Sequence, residues 1–392
     1  MSRRGVRDVM VVGGGVVGAA CALALAGQDL DVVLVEARPP AGWTAAEPDL
    51  RVYAFAHDNA RLLAQVGVWD AVRAARAHPY RRMRVWDAGG GSELDFDADA
   101  LGMRELGWIV EHGLLVDRLW ARLAAAGVEV RSPATVEALE TAADSVALRL
   151  ADGPRIEARL AIAADGAGSA LRRLAGIGAQ AHDYGQSGVV GYVRGEQPHE
   201  DTAWQRFLPT GPLALLPCGD GSCSIVWTLP ADEAARMRSL DDAAFSDALT
   251  RAAEGRFGRL TPVSTRAAFP LRRQLVDSQH AGRVLVVGDA AHVVHPLAGQ
   301  GVNLGLRDVA GLVETVAQAR RRGAVWDAPH RLARWARTRR SDNTVAAYAF
   351  ETINRVYSTD ALAPTLLRSH ALGIAQALPP LRNLLWARAA GR

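Results

Sequence analysis

The sequence predicts an α/β protein with a doubly wound, mostly parallel sheet, a second and mostly antiparallel sheet, and a helical C-terminal region. Three observations predict it. The N-terminal segment reads as strand, glycine-rich turn, helix and strand. Two apolar strands far downstream each end on an acidic residue beside a glycine, at Asp165-Gly166 and at Gly288-Asp289. From about residue 180 to 270 the texture changes to short alternating strands rich in aromatics.

The elements follow in order. Residues 9–12 form a buried strand, and Gly13-Gly14-Gly15-Val16-Val17-Gly18 supplies a Gly-x-Gly-x-x-Gly turn. Residues 19–26 make a small-residue helix ending at Gly27, and residues 31–35 a second strand closed by Glu36. The glycine pattern alone is weak. Flanked by two apolar strands, with an acid placed to bond a ribose, it points to a dinucleotide. Residues 57–77 read as helical, 87–99 as a hairpin, and 113–126 as an amphipathic helix. Residues 128–140 and 145–150 read as strands, and 159–164 as a buried strand running into Asp165. Strands at 189–193, 204–208, 213–217 and 224–229 build the second sheet. The strand at 284–287 then runs into Gly288-Asp289, a Pro-containing loop, and a helix starting near Gly301. The positive N-terminal end of that helix faces whatever binds there. After residue 341 the chain reads as helical. The nucleotide-binding domain is therefore discontinuous, over 1–78, 108–178 and 271–340. Residues 79–107 and 179–270 form a substrate domain, and 341–392 a C-terminal helical region.

Composition narrows the chemistry. The chain has 392 residues, 49% hydrophobic and 22% charged, as a soluble globular enzyme has. All 45 basic residues are arginine. That excludes a Schiff-base lysine, a phosphate-loop lysine and lysine-dependent halogen transfer. The net charge is only +3 and the arginines are dispersed, so no nucleic-acid partner is expected. Cys21, Cys218 and Cys223 match no disulfide framework and no zinc spacing, so no metal is expected and a reducing cytoplasm is. No apolar run reaches membrane length.

In a parallel sheet the three glycine/acid loops all emerge at the carboxyl edge. One extended ligand with a pyrophosphate, a ribose, a ribityl chain and a ring system would engage all three. FAD has that form, whereas NAD alone leaves the third loop without a partner.

Three motifs carry a resemblance: the Gly-x-Gly-x-x-Gly turn, ADGAGSALR at 164–172, and GDAAHVVHPLAGQGVNLGLRD at 288–308. The chain resembles the group A flavoprotein aromatic hydroxylases. Within them it is most similar to the ubiquinone-biosynthesis hydroxylases, through WIVEH at 108–112, DYGQS at 183–187, AWQRFLPTGPLALLP at 203–217, IVWTLP at 225–230, FPL at 269–271 and ALPPLRNLLWARAAG at 377–391. It departs from that family where Asn, Arg and Gln are usual, with His112, Gly113 and Val116 in their places.

The resemblance implies these roles. Gly13, Gly15 and Gly18 approach the FAD pyrophosphate, and Glu36 holds the adenosine ribose. Arg51 contacts FAD near the pyrophosphate or isoalloxazine. Asp165, with Gly166, closes the cleft, and Asp289 bonds the ribityl chain or pyrophosphate. Gly299, Gln300 and Gly301 present backbone N–H groups to the flavin ring, and Asn303 completes the cofactor set. Pro296 sits beside the reacting ring, so Pro296, Gly299 and Gln300 form the catalytic set. Phe207, Leu215 and Trp227 are candidates for the pocket wall, and His292 for a hydrogen bond within its loop. The implied reaction uses NAD(P)H to reduce the flavin and O2 to form a C4a-hydroperoxide. Oxygen is then transferred to the aromatic ring of a polyprenyl phenol or quinol. The alternative is an FAD oxidoreductase of the same fold that inserts no oxygen. Leu381, Leu384 and Leu385, with Arg382 and Arg388, offer a contact to a membrane surface, to a ubiquinone-biosynthesis complex, or to the chain's own domain.

Overall fold

The computed structural model describes residues 5–89, 93–151, 153–295 and 301–357. Arg7–Val12 (β1) carries Val9, Met10 and Val11 fully buried, as a central parallel strand covered on both faces requires. It pairs in parallel with Val32–Val35 (β2) on one side and Ile156–Ala163 on the other. Ile156–Ala163 pairs in parallel with Val284–Val286. Glu129–Arg131 extends the sheet beyond β2, His280–Ala281 pairs antiparallel with Val284–Val286 at the other edge, and an antiparallel pair, Val136–Thr141 and Val146–Leu150, completes its eight strands. The helix Val16–Ala26 (α1) is built of small residues and packs between this sheet and the helices Gly301–Arg321 and His112–Leu123.

Because these strands are parallel, the loops after β1, Ile156–Ala163 and Val284–Val286 emerge at one edge. A nine-stranded, mostly antiparallel sheet stands against that edge. Its central strands are Ala267–Val276, Ala179–Gly195, Cys223–Pro230, Gly211–Pro217 and Thr202–Leu208. A three-stranded sheet of Val52–Phe55, Gly107–Glu111 and His78–Tyr80 lies between the two. No helix among the described residues is long and apolar enough to cross a membrane.

Several local expectations change. The helix expected over 57–77 is two helices, His57–Gln65 and Trp69–Arg76, interrupted at Gly67, whose φ is +73°. The strand expected over 128–140 breaks into two around Pro133, which has no N–H to donate to a ladder. The helices Ala231–Ser239 and Asp242–Ala252, unanticipated, back the second sheet. The domain boundary drawn at 271 falls inside Ala267–Val276, a strand of the second sheet. The C-terminal region drawn from 341 begins inside the helix Pro329–Tyr357, and Leu381, Arg382, Leu384, Leu385 and Arg388 lie outside the described residues.

The turn after β1 is packed backbone on backbone. A Cβ on Gly18 would lie 1.9 Å from the Gly13 carbonyl oxygen. Gly13 has φ +104°, and its own Cβ would lie 2.3 Å from the Ala164 oxygen. Gly18→Ala should therefore destabilise the fold by about 1–3 kcal/mol, as overpacking does. Denaturant unfolding of the variant checks this, and an unchanged midpoint would show that α1 has room to move.

Candidate functional site

A cleft of about 930 Å³ runs between the carboxyl edge of the first sheet and the face of the second. Its first part is lined by Gly13, Gly15, Glu36, Arg38, Asp165 and Gly166. Its far part is lined by Leu50, Val190, Leu216, Val226, Phe269 and Leu271. Arg51, Tyr53, His112, Asp289 and Gly301 line the stretch between. One end is thus polar and rich in backbone, and the other is apolar.

Glu36 accepts hydrogen bonds from Gly14 N at 2.5 Å and Arg38 N at 2.9 Å. Trp120 Nε1 donates to Gly14 O at 2.7 Å, so the glycine turn is held on both sides. Gly15 itself is exposed, and a Cβ added there would meet nothing within 4 Å. Its missing side chain leaves room in the cleft. Asp165 is committed locally: Ser169 Oγ, Ala170 N at 2.7 Å and Leu171 N at 3.2 Å all donate to it. Arg172 joins this loop to the third one, donating to Ala167 O at 3.1 Å and Ala290 O at 2.8 Å.

The third loop hangs on Asp308, which is fully buried. Gly288 N donates to Oδ2 at 3.1 Å, and His292 Nε2 lies 2.6 Å from the same oxygen. Arg339 Nε and Asn343 Nδ2 donate to Oδ1, each at 2.9 Å. Burial raises this carboxyl's pKa, but His292 and Arg339 outweigh it and hold the group down to about 2. Its stabilisation is therefore complete above about pH 4, the usual carboxylate value. It is lost as pH falls through the folded value.

Asp289, the next residue after Gly288, is exposed to the cleft. Among the described residues no group donates to its carboxylate. The surrounding walls raise its pKa by desolvation, against the pull of His292, Arg51 and Arg272. It is an acceptor awaiting a donor. The Tyr53 hydroxyl lies 2.9 Å from His112 Nδ1. Burial, then Arg51, lowers His112 to about 4, so its imidazole is neutral at pH 7.

The structure brings Gly13, Gly15, Glu36, Arg51, Asp165, Gly166, Asp289 and Gly301 to one cleft. Among the described residues, it does not bring Gly18, Asn303, Phe207, Leu215 or Trp227 there. Gly18 packs against Gly13 beneath the turn. Asn303 is 2% exposed and spends its side chain on Ala56 N, Asn59 Nδ2 and Ala54 O, at 3.1, 2.8 and 2.8 Å. It pins the helix Gly301–Arg321 to the strand Val52–Phe55. Leu215 and Trp227 are a correction. Both point to the far face of the second sheet, into a core with Leu213, Ile225 and Phe245. Their neighbours Leu216 and Val226 line the cleft instead, because successive strand residues face opposite ways. Phe207 is likewise core, packed with Phe96 and Leu216. Pro296, Gly299 and Gln300 lie outside the described residues. Tyr53 was missed, although it stands two residues after Arg51, in the strand Val52–Phe55, and lines the same cleft.

Two substitutions test the cleft as a cofactor site. Asp289→Ala removes the unpartnered acceptor and should weaken FAD binding by about 10- to 150-fold, the worth of one charge-assisted bond. Gly15→Val fills open space and should abolish FAD binding while leaving the far-ultraviolet spectrum intact. Titration with FAD followed by flavin fluorescence measures both. Wild-type affinity in either variant removes that residue from the site.

The comparisons agree with this geometry. Residues 7–341 match the family described as FAD binding domain. The chain is 40% identical over 343 residues to the 3-demethoxyubiquinol 3-hydroxylase of Escherichia coli K12, covering 86% of each chain. It is 36% identical to the ubiquinone hydroxylase UbiL of Rhodospirillum rubrum, over 98% of this chain and 90% of that one. It is 34% identical to the human mitochondrial ubiquinone biosynthesis monooxygenase COQ6, over 97% and 92%. In fold it is similar to p-nitrophenol 4-monooxygenase PnpA from Pseudomonas putida, with a TM-score of 0.76, 20% identity and 99% of each chain covered. It is also similar to Klebsiella pneumoniae HpxO complexed with FAD and uric acid, with a TM-score of 0.76, 20% identity and coverage of 98% and 96%. The glycine turn and the two acid loops, the family match and the identity to these relatives lead to one conclusion: the chain belongs to the FAD-binding-domain family of flavoprotein monooxygenases and, within it, to the ubiquinone-biosynthesis hydroxylases.

Proposed function

We propose that this protein is an FAD-dependent monooxygenase that hydroxylates the aromatic ring of a polyprenyl phenol or quinol in ubiquinone biosynthesis. One observation carries the reading: a single cleft joins a dinucleotide-binding edge to an apolar wall. Relatives at 34–40% identity bear the names of ubiquinone hydroxylases and monooxygenases.

FAD, when bound, supplies the electron transfer and the activation of O2, with NAD(P)H as the proposed electron donor. The chain's residues do the rest. Gly13 and Gly15 leave space that a pyrophosphate would fill, and Glu36, at the end of β2, would accept from the adenosine ribose. Asp289 accepts from a ligand hydroxyl or amide. Gly301 opens a helix of 21 residues at the cleft, so its dipole favours the negative charge that reduction places on the ring. That effect is worth about 0.3–1 kcal/mol, and up to about 2 in a partly buried setting. The Tyr53 hydroxyl and His112 Nδ1 pair at 2.9 Å, beside Arg51 in the cleft. Burial raises the Tyr53 pKa further above its usual range, so this pair fixes dipoles and does not supply a base. Leu216, Val226, Val190 and Phe269 form the wall that orients an apolar ring and excludes water. Such a substrate resides in lipid, so the protein is proposed to work in the cytoplasm, at a membrane surface or in a biosynthetic complex.

The test is oxygen uptake by FAD-loaded protein with NAD(P)H and a polyprenyl phenol. The expected result is substrate-dependent uptake, with about one hydroxylated ring formed per O2 consumed and none formed anaerobically. Oxidation of NAD(P)H that yields only hydrogen peroxide, or product formed without oxygen, contradicts the reading.

A further inference from the structure

Two histidines and an aspartate meet where the three-stranded sheet adjoins the second sheet, outside the cleft. His78 opens the strand His78–Tyr80, whose partner is Gly107–Glu111. His199 and Asp201 precede the strand Thr202–Leu208. His78 Nε2 lies 2.9 Å from Asp201 Oδ1, and His199 Nδ1 lies 4.0 Å from the same oxygen. One ligating atom from each residue lies within 4.8 Å of the others. None of the three lines the cleft, so the proposed hydroxylation leaves them without a role.

Two features fit this group to a metal ion. First, His199 is 8% exposed, and its Nε2 lies 3.0 Å from the Cys218 carbonyl oxygen. A carbonyl only accepts, so the proton sits on Nε2 and the lone pair on Nδ1. Metal-binding histidines are oriented in this way by a backbone carbonyl. Second, the turn that presents Asp201 is held in a conformation that disfavours its own residues. Thr202 N donates to His199 O at 3.0 Å, and both central residues are left-handed, Glu200 at φ 51° and Asp201 at φ 49°. Such turns usually carry Asn-Gly. The strained pair aims the carboxylate at His78.

We propose that His78, His199 and Asp201 bind a divalent transition metal of the zinc type, through His78 Nε2, His199 Nδ1 and an Asp201 carboxylate oxygen. Tetrahedral bonds of about 2.0–2.2 Å place ligating atoms roughly 3.3 Å apart, so the widest separation closes by little more than a bond length. On binding, the proton that His78 Nε2 now shares with Asp201 moves to Nδ1. The ion takes the place of the Asp201 amide, which lies 3.1 Å from His199 Nδ1. Asp201 is half exposed, and water completes the coordination from that side. The ion would clamp the three-stranded sheet, through His78, to the second sheet, through Asp201. The earlier expectation of no metal rested on cysteine spacing. It overlooked histidines 121 positions apart, which adjoin only after folding.

The test titrates zinc chloride into FAD-loaded, chelator-treated protein by isothermal calorimetry, with a thermal melt at each end point. One zinc per chain with micromolar or tighter affinity and a raised melting temperature is expected. His78→Ala should weaken binding by at least roughly tenfold and cancel the thermal shift. Asp201→Asn serves as the second variant. Asn tolerates the left-handed turn and keeps the backbone N–H, so this variant folds while losing the anionic ligand. Unchanged FAD content confirms that both variants are folded. No saturable site in the wild type overturns the proposal, as does wild-type zinc affinity in both variants.

Discussion

The carboxylate of Asp308 is the constraint on which the cofactor edge depends. It lies on the helix Gly301–Arg321, fully buried, and gathers Gly288 N–H, His292, Arg339 and Asn343. Those partners come from the loop after Val284–Val286 and from the helix Pro329–Tyr357. One group therefore fixes the loop that carries Asp289, the helix that begins at Gly301, and the helix behind them. A buried charge of this kind is stable only while its partners stay in place, and breaking such a set costs about 3–5 kcal/mol. The helix approaches the loop closely because residue 305 is glycine: a Cβ there would lie 2.7 Å from Val17 Cγ2 and 3.0 Å from Gly288 Cα.

The cleft joins two environments that one sheet cannot provide. The parallel sheet contributes loop backbone and acids at its carboxyl edge, which suits phosphate, ribose and ribityl groups. The antiparallel sheet contributes a flat apolar face, backed on its other side by Leu213, Leu215, Trp227 and Phe245. Gln274 Nε2 ties the two by donating to Ala167 O at 3.0 Å, from a strand of the second sheet to the loop of Asp165. Arg172 ties that loop in turn to Ala290. The ends of the cleft are thus held in register by a few polar contacts, while its walls remain apolar.

Much of this was legible in the sequence, and for identifiable reasons. The glycine turn, Asp165-Gly166 and Gly288-Asp289 could be read because each terminates an apolar strand, and parallel pairing then forces them to one edge. The wall residues could not be placed, because a strand buried on both faces shows no alternation. Leu213, Ala214, Leu215 and Leu216 are all buried, and only the register shows that Leu216 faces the cleft and Leu215 the core. Asn303 was expected at the cofactor from the resemblance alone. Its real partners are some 250 positions away, at Ala54, Ala56 and Asn59, and no local pattern reveals them. The Asp308 network was hidden for the same reason: Arg339 and Asn343 sit on another helix.

The most direct measurement of this account is FAD affinity in Asp308→Asn, taken alongside unfolding by denaturant. Asparagine matches the shape but loses the charge that His292 and Arg339 compensate. If the buried carboxylate organises the cofactor edge, the variant should keep its sheets, melt earlier, and bind FAD at least about tenfold more weakly. Wild-type FAD affinity in a variant that is measurably less stable would contradict it, because the loop and helix would then hold their places without Asp308.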